Sequence, residues 1–187
     1  MIIVIGVDQS LVATGITSLR AGDGVAGIER ARCVRTAPDK KSKHIYKADD
    51  DGMRVDEIAR ALIEEIRFAR MSYATHIFIA CEAPAGAQSA TAAKALGLAY
   101  GVVRGVCAAH EMTPIVIQAH HAKKVLAGSA SASKDEMVAA AKGRWGDSAL
   151  WTETKLTKPA VEAIADAGAV ALCALQEPTL QAMWRAA

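Results

Sequence analysis

No two of the chain's cysteines, Cys33, Cys81, Cys107 and Cys173, stand at CxxC spacing. That removes the zinc knuckle and the dithiol redox motif from the candidate chemistries. Two of them lie in apolar strand or helix contexts, where a free cysteine behaves as a small hydrophobe. No apolar run approaches the ~20 residues that a membrane helix needs. The opening Met1-Ile2-Ile3-Val4 lacks the basic n-region and cleavage site of a signal peptide. Histidines at ligand spacing are missing too. His120 and His121 are adjacent, and neighbours on a helix point ~100° apart, which prevents them from sharing one ion. A DNA contact or a proton transfer is open to one of them; a solvent-exposed or capping role is the simpler reading. These absences predict a reduced, soluble, intracellular domain of the cytoplasm.

What is present fits one well-buried domain spanning residues 1–187, since this length is short for two. Hydrophobic residues make up 52% and charged ones 22%, which excludes a disordered composition. The net charge of +2 conceals a block. From Arg30 to Lys47 there are seven Lys or Arg and one acid, Asp39, so this segment carries +6 and the remainder −4. Such a block is either a solvated loop or, beside an acidic site, an arm that contacts phosphates through Arg35, Lys40 and Lys41.

The pattern of apolar residues predicts a layout. Residues 2–7 form a buried strand, Gly15 to Leu19 a second, and Gly22-Asp23-Gly24 a hairpin signal before a third at Ile28 to Val34. Residues 37–52 read as a loop that ends in the polar turn Asp49-Asp50-Asp51-Gly52. Val55, Ile58, Leu62 and Ile66 recur at helical steps within an amphipathic helix from Met53 to Arg70. A strand ends at Glu82, a long helix runs from Ala87 to His110, and Pro114 to Ile117 is a short strand. Helices follow at 119–127 and 133–143, then a loop at 145–157, and Pro159 opens a last helix to Leu175. Three hairpin-linked strands followed by crossovers give an α/β mixed sheet flanked by helices.

Two apolar strands end in carboxylates, Asp8 and Glu82. The crossover strand pairs most simply beside the first and parallel to it, which brings both acids to one rim, where open α/β sheets bind ligands. The last helix carries Glu162 and Asp166 four residues apart, on one face. Carboxylates gathered at a rim suit magnesium, a hard cation that takes oxygen ligands and keeps several waters. Two such ions ~4 Å apart stabilise both ends of an in-line phosphodiester displacement.

A stripe of small residues, Ser89, Ala93, Gly97, Gly101 and Gly105, recurs every four positions along the long helix. Glycine in a helix costs about 0.5–1 kcal/mol relative to alanine, so a stripe of three has a structural reason. Either the sheet of the same chain or a partner helix approaches closely there. Lys94 and Arg104 argue against a membrane span.

The stretch from Gly6 to Gly15, with Asp8, Thr14 and Gly15, resembles the first motif of RuvC-type Holliday-junction resolvases, which are ribonuclease-H-like nucleases. Ala80-Cys81-Glu82 resembles their second acidic motif, and Ala95 to Gly101 the small-residue helix that follows it. Lys123, Gly128 and Lys134 reproduce a family spacing, and Ala165-Asp166-Ala167 falls where the family carries its last acid. The resemblance runs in order along nearly the whole chain and looks closest to the shorter-motif, phage-like members. It implies a ribonuclease-H-like mixed five-stranded sheet flanked by helices. It further implies a Mg²⁺-dependent endodeoxyribonuclease that cuts four-way and related branched DNA by symmetric phosphodiester hydrolysis, in recombination and repair. Asp8, Glu82, Glu162 and Asp166 would serve as catalytic and metal residues, with two Mg²⁺ per site and Mn²⁺ able to substitute. Lys123 and Lys134 would contact phosphate, and the protein would be a homodimer joined through the long helix. One departure stands out: the family's last helix carries two acids three residues apart, and here that position is Ala163, with Glu162 one residue earlier.

Two other classes are consistent with parts of the chain. Its Gly-x-Asp-x-x-x-x-x-Thr-Gly opening also resembles the first phosphate motif of sugar kinases and actin-like ATPases, which need about twice this length. A non-catalytic DNA-binding module on the same fold is the other, because the fourth acid is displaced.

Overall fold

The first strand, β1 (Ile2–Asp8), alternates between two cores. Ile2 and Val4 face one side of the sheet, and Ile3, Ile5 and Val7 the other. The period of two is what a strand buried on both faces requires. A computed structural model describes residues 1–22, 25–39, 46–146 and 156–186. β1 is followed by β2 (Ala13–Gly22), β3 (Val25–Arg35), α1 (Lys47–Met71), β4 (His76–Glu82), α2 (Ala90–Ala109), β5 (Ile115–Ile117), α3 (Ala119–Ala127), α4 (Lys134–Trp145), α5 (Lys158–Ala174) and α6 (Pro178–Ala186). The sheet order is β3-β2-β1-β4-β5, antiparallel from β1 to β3 and parallel from β1 to β5. The predicted mixed five-stranded sheet flanked by helices is therefore the observed one.

Helix α5 lies against the sheet at β1 and β2 and is buried on almost every side, because α3 and α4 cover its outer surface. Glycine makes the close approach possible. A Cβ at Gly6 would strike the Ala167 carbonyl, and one at Gly15 the Ala163 carbonyl. The helix answers with alanine at 163, 167 and 171, and Thr17 Oγ1 donates to the Ile164 carbonyl at 2.9 Å. Helices α1 and α2 cover the opposite face, through Ile58, Leu62, Ile66, Val103 and Cys107.

Several boundaries differ from the sequence reading. Asp49, Asp50, Asp51 and Gly52 do not form a polar turn but lie within α1, which starts at Lys47. The reason is tertiary: Asp50 accepts from the Asp39 amide, and Asp51 sits between Arg54 and Lys94. Acids in a first helical turn also suit the macrodipole. Helix α2 begins three residues later than predicted, with Ser89 as its N-cap accepting from the Ala92 amide, so Ser89 is not part of the helical stripe. Helix α6 was not anticipated; Leu180, Met183 and Trp184 carry it onto the core. Asp23, Gly24 and most of the predicted 145–157 loop lie outside the described residues. By length and composition α2 is long and apolar enough to cross a membrane. Here its inner face packs on α1, and Lys94 binds Asp51 at 2.7 Å.

Candidate active site at the sheet rim

Register sets the site. The parallel ladder pairs Gly6 with Ala80 and Val7 with Cys81, so Asp8 and Glu82 emerge from adjacent strands at the same level. Alternation aims both at α5, since Val4 and Ala80 share that face. Gly15 and Thr17 bring α5 down beside them, and its Asp166 comes to the same rim.

The electrostatics record that convergence. Burial, then Asp166 and Glu82, push the Asp8 carboxyl from 3.8 up to about 8, against a smaller opposite pull from Lys134. Burial and the Asp166 charge raise Glu82, while Lys123 lowers it. Burial raises Asp166 as well, against Lys134 and Lys123. Three carboxyls held together and partly withdrawn from water keep their protons more tightly than free carboxyls do. Lys123, on α3, and Lys134, the first residue of α4, lie close enough to the acids to act on their pKa values. Ser133 fixes the start of α4 through a capping box with Glu136.

Glu162 occupies a different position in this network. Its carboxylate accepts from Lys134 Nζ at 2.9 Å, and that bond raises the lysine's pKa. It lies beside Asp166, whose pKa its charge raises. That hydrogen bond engages one of its two carboxylate oxygens, Oε2. Among the described residues, no three acids, histidines or cysteines already stand at the spacing that holds an ion. The donor set nonetheless fits a hard divalent cation: it offers oxygen alone, and the raised carboxyls on the rim lack the positive charge that such an ion carries.

The basic segment divides. Arg30 stacks over Phe68 and pairs with the buried Glu65, and Arg32 binds Glu64 and the Ala61 carbonyl. Both are engaged by α1 and are not free to form a phosphate arm. Arg35 remains at the rim, its guanidinium 3.2 Å from Thr157 Oγ1 and close enough to lower the Cys33 thiol, which burial and, to a smaller extent, Asp8 raise. Lys40 and Lys41 lie outside the described residues. His120 and His121 meet edge to face with ring centroids 4.2 Å apart, and His121 lines a separate cavity with Lys124, Cys173 and Glu177. A cleft of about 740 Å³ between α1 and α2 contains Asp51, Arg54 and Lys94, which are paired with one another.

The architecture is that of Thermus thermophilus RuvC in complex with a Holliday junction substrate. That structure superposes with a TM-score of 0.69, 21% identity, and 92% of each chain covered. The chain has the RuvC fold. A second structure of T. thermophilus RuvC gives a TM-score of 0.64 at 22% identity, over 91% of this chain and 92% of that one. No protein-family model and no curated relative matches the sequence. In this chain the sheet rim, the start of α4 and the buried α5 meet around the carboxylates.

Two features of the site were missed by sequence reasoning. One is the Lys134–Glu162 pair, which joins two helices and has no local signal. The other is Gln9, next to Asp8, whose side chain reaches the Glu82 carbonyl at 2.5 Å.

Proposed function

We propose that this chain is a Mg²⁺-dependent endonuclease that cuts four-way and related branched DNA by hydrolysing phosphodiesters. The observation that carries the reading is the convergence of Asp8, Glu82 and Asp166 on one rim with all three carboxyl pKa values raised. A like-charged cluster at a ligand-binding rim is destabilising unless something positive binds there. The T. thermophilus protein of the same fold holds a Holliday junction substrate.

In this reading Asp8, Glu82 and Asp166 hold the metal, which would supply an activated water and charge stabilisation at the phosphate. Lys123 and Lys134 attract the negative backbone toward the acids, and Lys134 offsets charge that develops on the phosphoryl oxygens. Arg35 extends the positive rim along β3. Glu162 orients Lys134 through their hydrogen bond.

Resolving a junction takes two symmetric cuts, and a homodimer with two-fold symmetry presents two identical sites. Helix α2 supports that assembly. Gly97, Gly101 and Gly105 are exposed, with nothing within 4 Å of a Cβ at any of them, so the stripe faces outward and not onto the chain's own sheet. A partner helix could approach it closely.

A second reading, a non-catalytic DNA-binding module, is favoured by the lack of three preassembled ligands among the described residues. One experiment separates the two: labelled four-way, forked and linear DNA incubated with the protein, with and without Mg²⁺. The nuclease reading expects metal-dependent paired nicks in the junction. Binding without cleavage at any divalent metal concentration would leave only the module.

A further inference from the structure

The parallel ladder between β1 and β4 ends at Val7 and Cys81, one residue short of the acids. On its other side Glu82 is held by β5, where it pairs with Ile117, and the Ala83 amide donates to the Ile117 carbonyl at 2.7 Å. On the β1 side the backbone supplies no further rung. Gln9 supplies one from its side chain: Nε2 donates to the Glu82 carbonyl at 2.5 Å. A carbonyl only accepts, so the amide nitrogen must face it. We propose that Gln9 is a positioning residue that extends the ladder by one rung and fixes the two acid-bearing strand ends at the separation a shared metal ion requires. The proposal rests on the nuclease reading above.

The cost of keeping glutamine here supports a specific task. The residue is only 6% exposed, and its Oε1 is buried with no donor among the described residues. A buried acceptor without a partner is unfavourable, and methionine would fill a similar volume without leaving one. Simple packing therefore does not call for an amide. A neutral donor also suits the site better than lysine or arginine. Either cation would bind the carbonyl but would repel the incoming metal and partly neutralise Asp8 and Glu82. Groups that hold metal ligands in place typically change metal affinity 10–100-fold when removed.

The test is Mn²⁺ binding to the full chain without DNA, followed by electron paramagnetic resonance well below the melting temperature, for wild type, Gln9→Met and Gln9→Asn. Gln9→Asn keeps the amide but shortens its reach by one methylene, and it decides the matter if the methionine variant does not fold. The expected result is a Mn²⁺ dissociation constant raised about 10-fold or more in both variants, with far-UV circular dichroism unchanged. A parallel Mg²⁺ titration of junction cleavage should show the same rise in the half-saturating concentration. A purely structural peg would lower the melting temperature and leave both isotherms unmoved, which would overturn the proposal while wild-type binding and cleavage upheld the nuclease. Wild type that neither binds Mn²⁺ nor cuts DNA would overturn the parent reading and this one together.

Discussion

Asp8→Asn should stabilise the metal-free protein at neutral and alkaline pH while destroying its capacity to cut. The native carboxyl titrates at about 8 and an unfolded one near 3.8, because burial and the Asp166 and Glu82 charges oppose ionisation in the fold. A raised carboxyl pKa means that the folded state holds the proton more tightly. Stability from this group is therefore fully present below ~pH 4 and is lost progressively as pH rises toward ~pH 8. At about 1.4 kcal/mol per pKa unit the ceiling is ~6 kcal/mol. Asp8 is partly open to solvent at the rim, and screening leaves about 2–4 kcal/mol as the working figure. For a chain of this size that is ~5–15 °C in melting temperature. Asparagine resembles the neutral carboxyl, so the variant should lose the pH dependence and melt higher at ~pH 8, with little difference at ~pH 4. Mg²⁺ should reverse the order. A ligand at about 100 times its dissociation constant adds ~2.7 kcal/mol to wild type, and the variant should gain almost none. Thermal melts across this pH range, with and without Mg²⁺, measure all of this. Parallel pH curves for the two proteins would refute the electrostatic argument, and cleavage by purified Asp8→Asn would refute its role as the metal anchor.

Four further outcomes follow from the geometry. Gly15→Ala places a Cβ on the Ala163 carbonyl and should cost about 3 kcal/mol by chemical denaturation, because α5 must lift off the sheet. Glu162→Gln should leave metal binding largely intact and slow cleavage no more than ~10-fold, since its main partner is Lys134, whereas Asp166→Asn should abolish cleavage. Lys134→Ala should slow single-turnover cleavage about 10²-fold and leave the Mn²⁺ isotherm close to wild type, as expected of a charge that assists the phosphate rather than the ion. Gly101→Leu points into open space, so the variant should fold normally yet scatter light as a monomer; a dimer of wild-type affinity would move the interface elsewhere.

The strands and the acids at their ends were legible in the sequence. Local chemistry suffices there: alternating apolar runs choose strands, a hairpin pairs antiparallel, and a crossover strand pairs most simply beside the first and parallel to it, which brings Asp8 and Glu82 to one rim. The place of β5 at the sheet edge came from the fold. Helical spacing likewise set Glu162 and Asp166 on one face of α5. Contacts between residues far apart in the chain decided the rest. Asp49 to Gly52 carry turn chemistry, yet Arg54 and Lys94 draw Asp51 into a helix. Arg30 and Arg32 belong to the basic block, yet Glu64 and Glu65 on α1 claim them. Glu162 reads as one of the rim acids, and only the fold shows that Lys134, 28 residues away, holds one of its carboxylate oxygens. Gln9 lies in the Gly6 to Gly15 stretch with no role of its own in the sequence reading, and only the fold brings it to a carbonyl 73 residues distant. A charge or an amide in sequence states what it can bind; which partner it meets is fixed by packing, because only the folded chain sets the distances over which hydrogen bonds and ion pairs act.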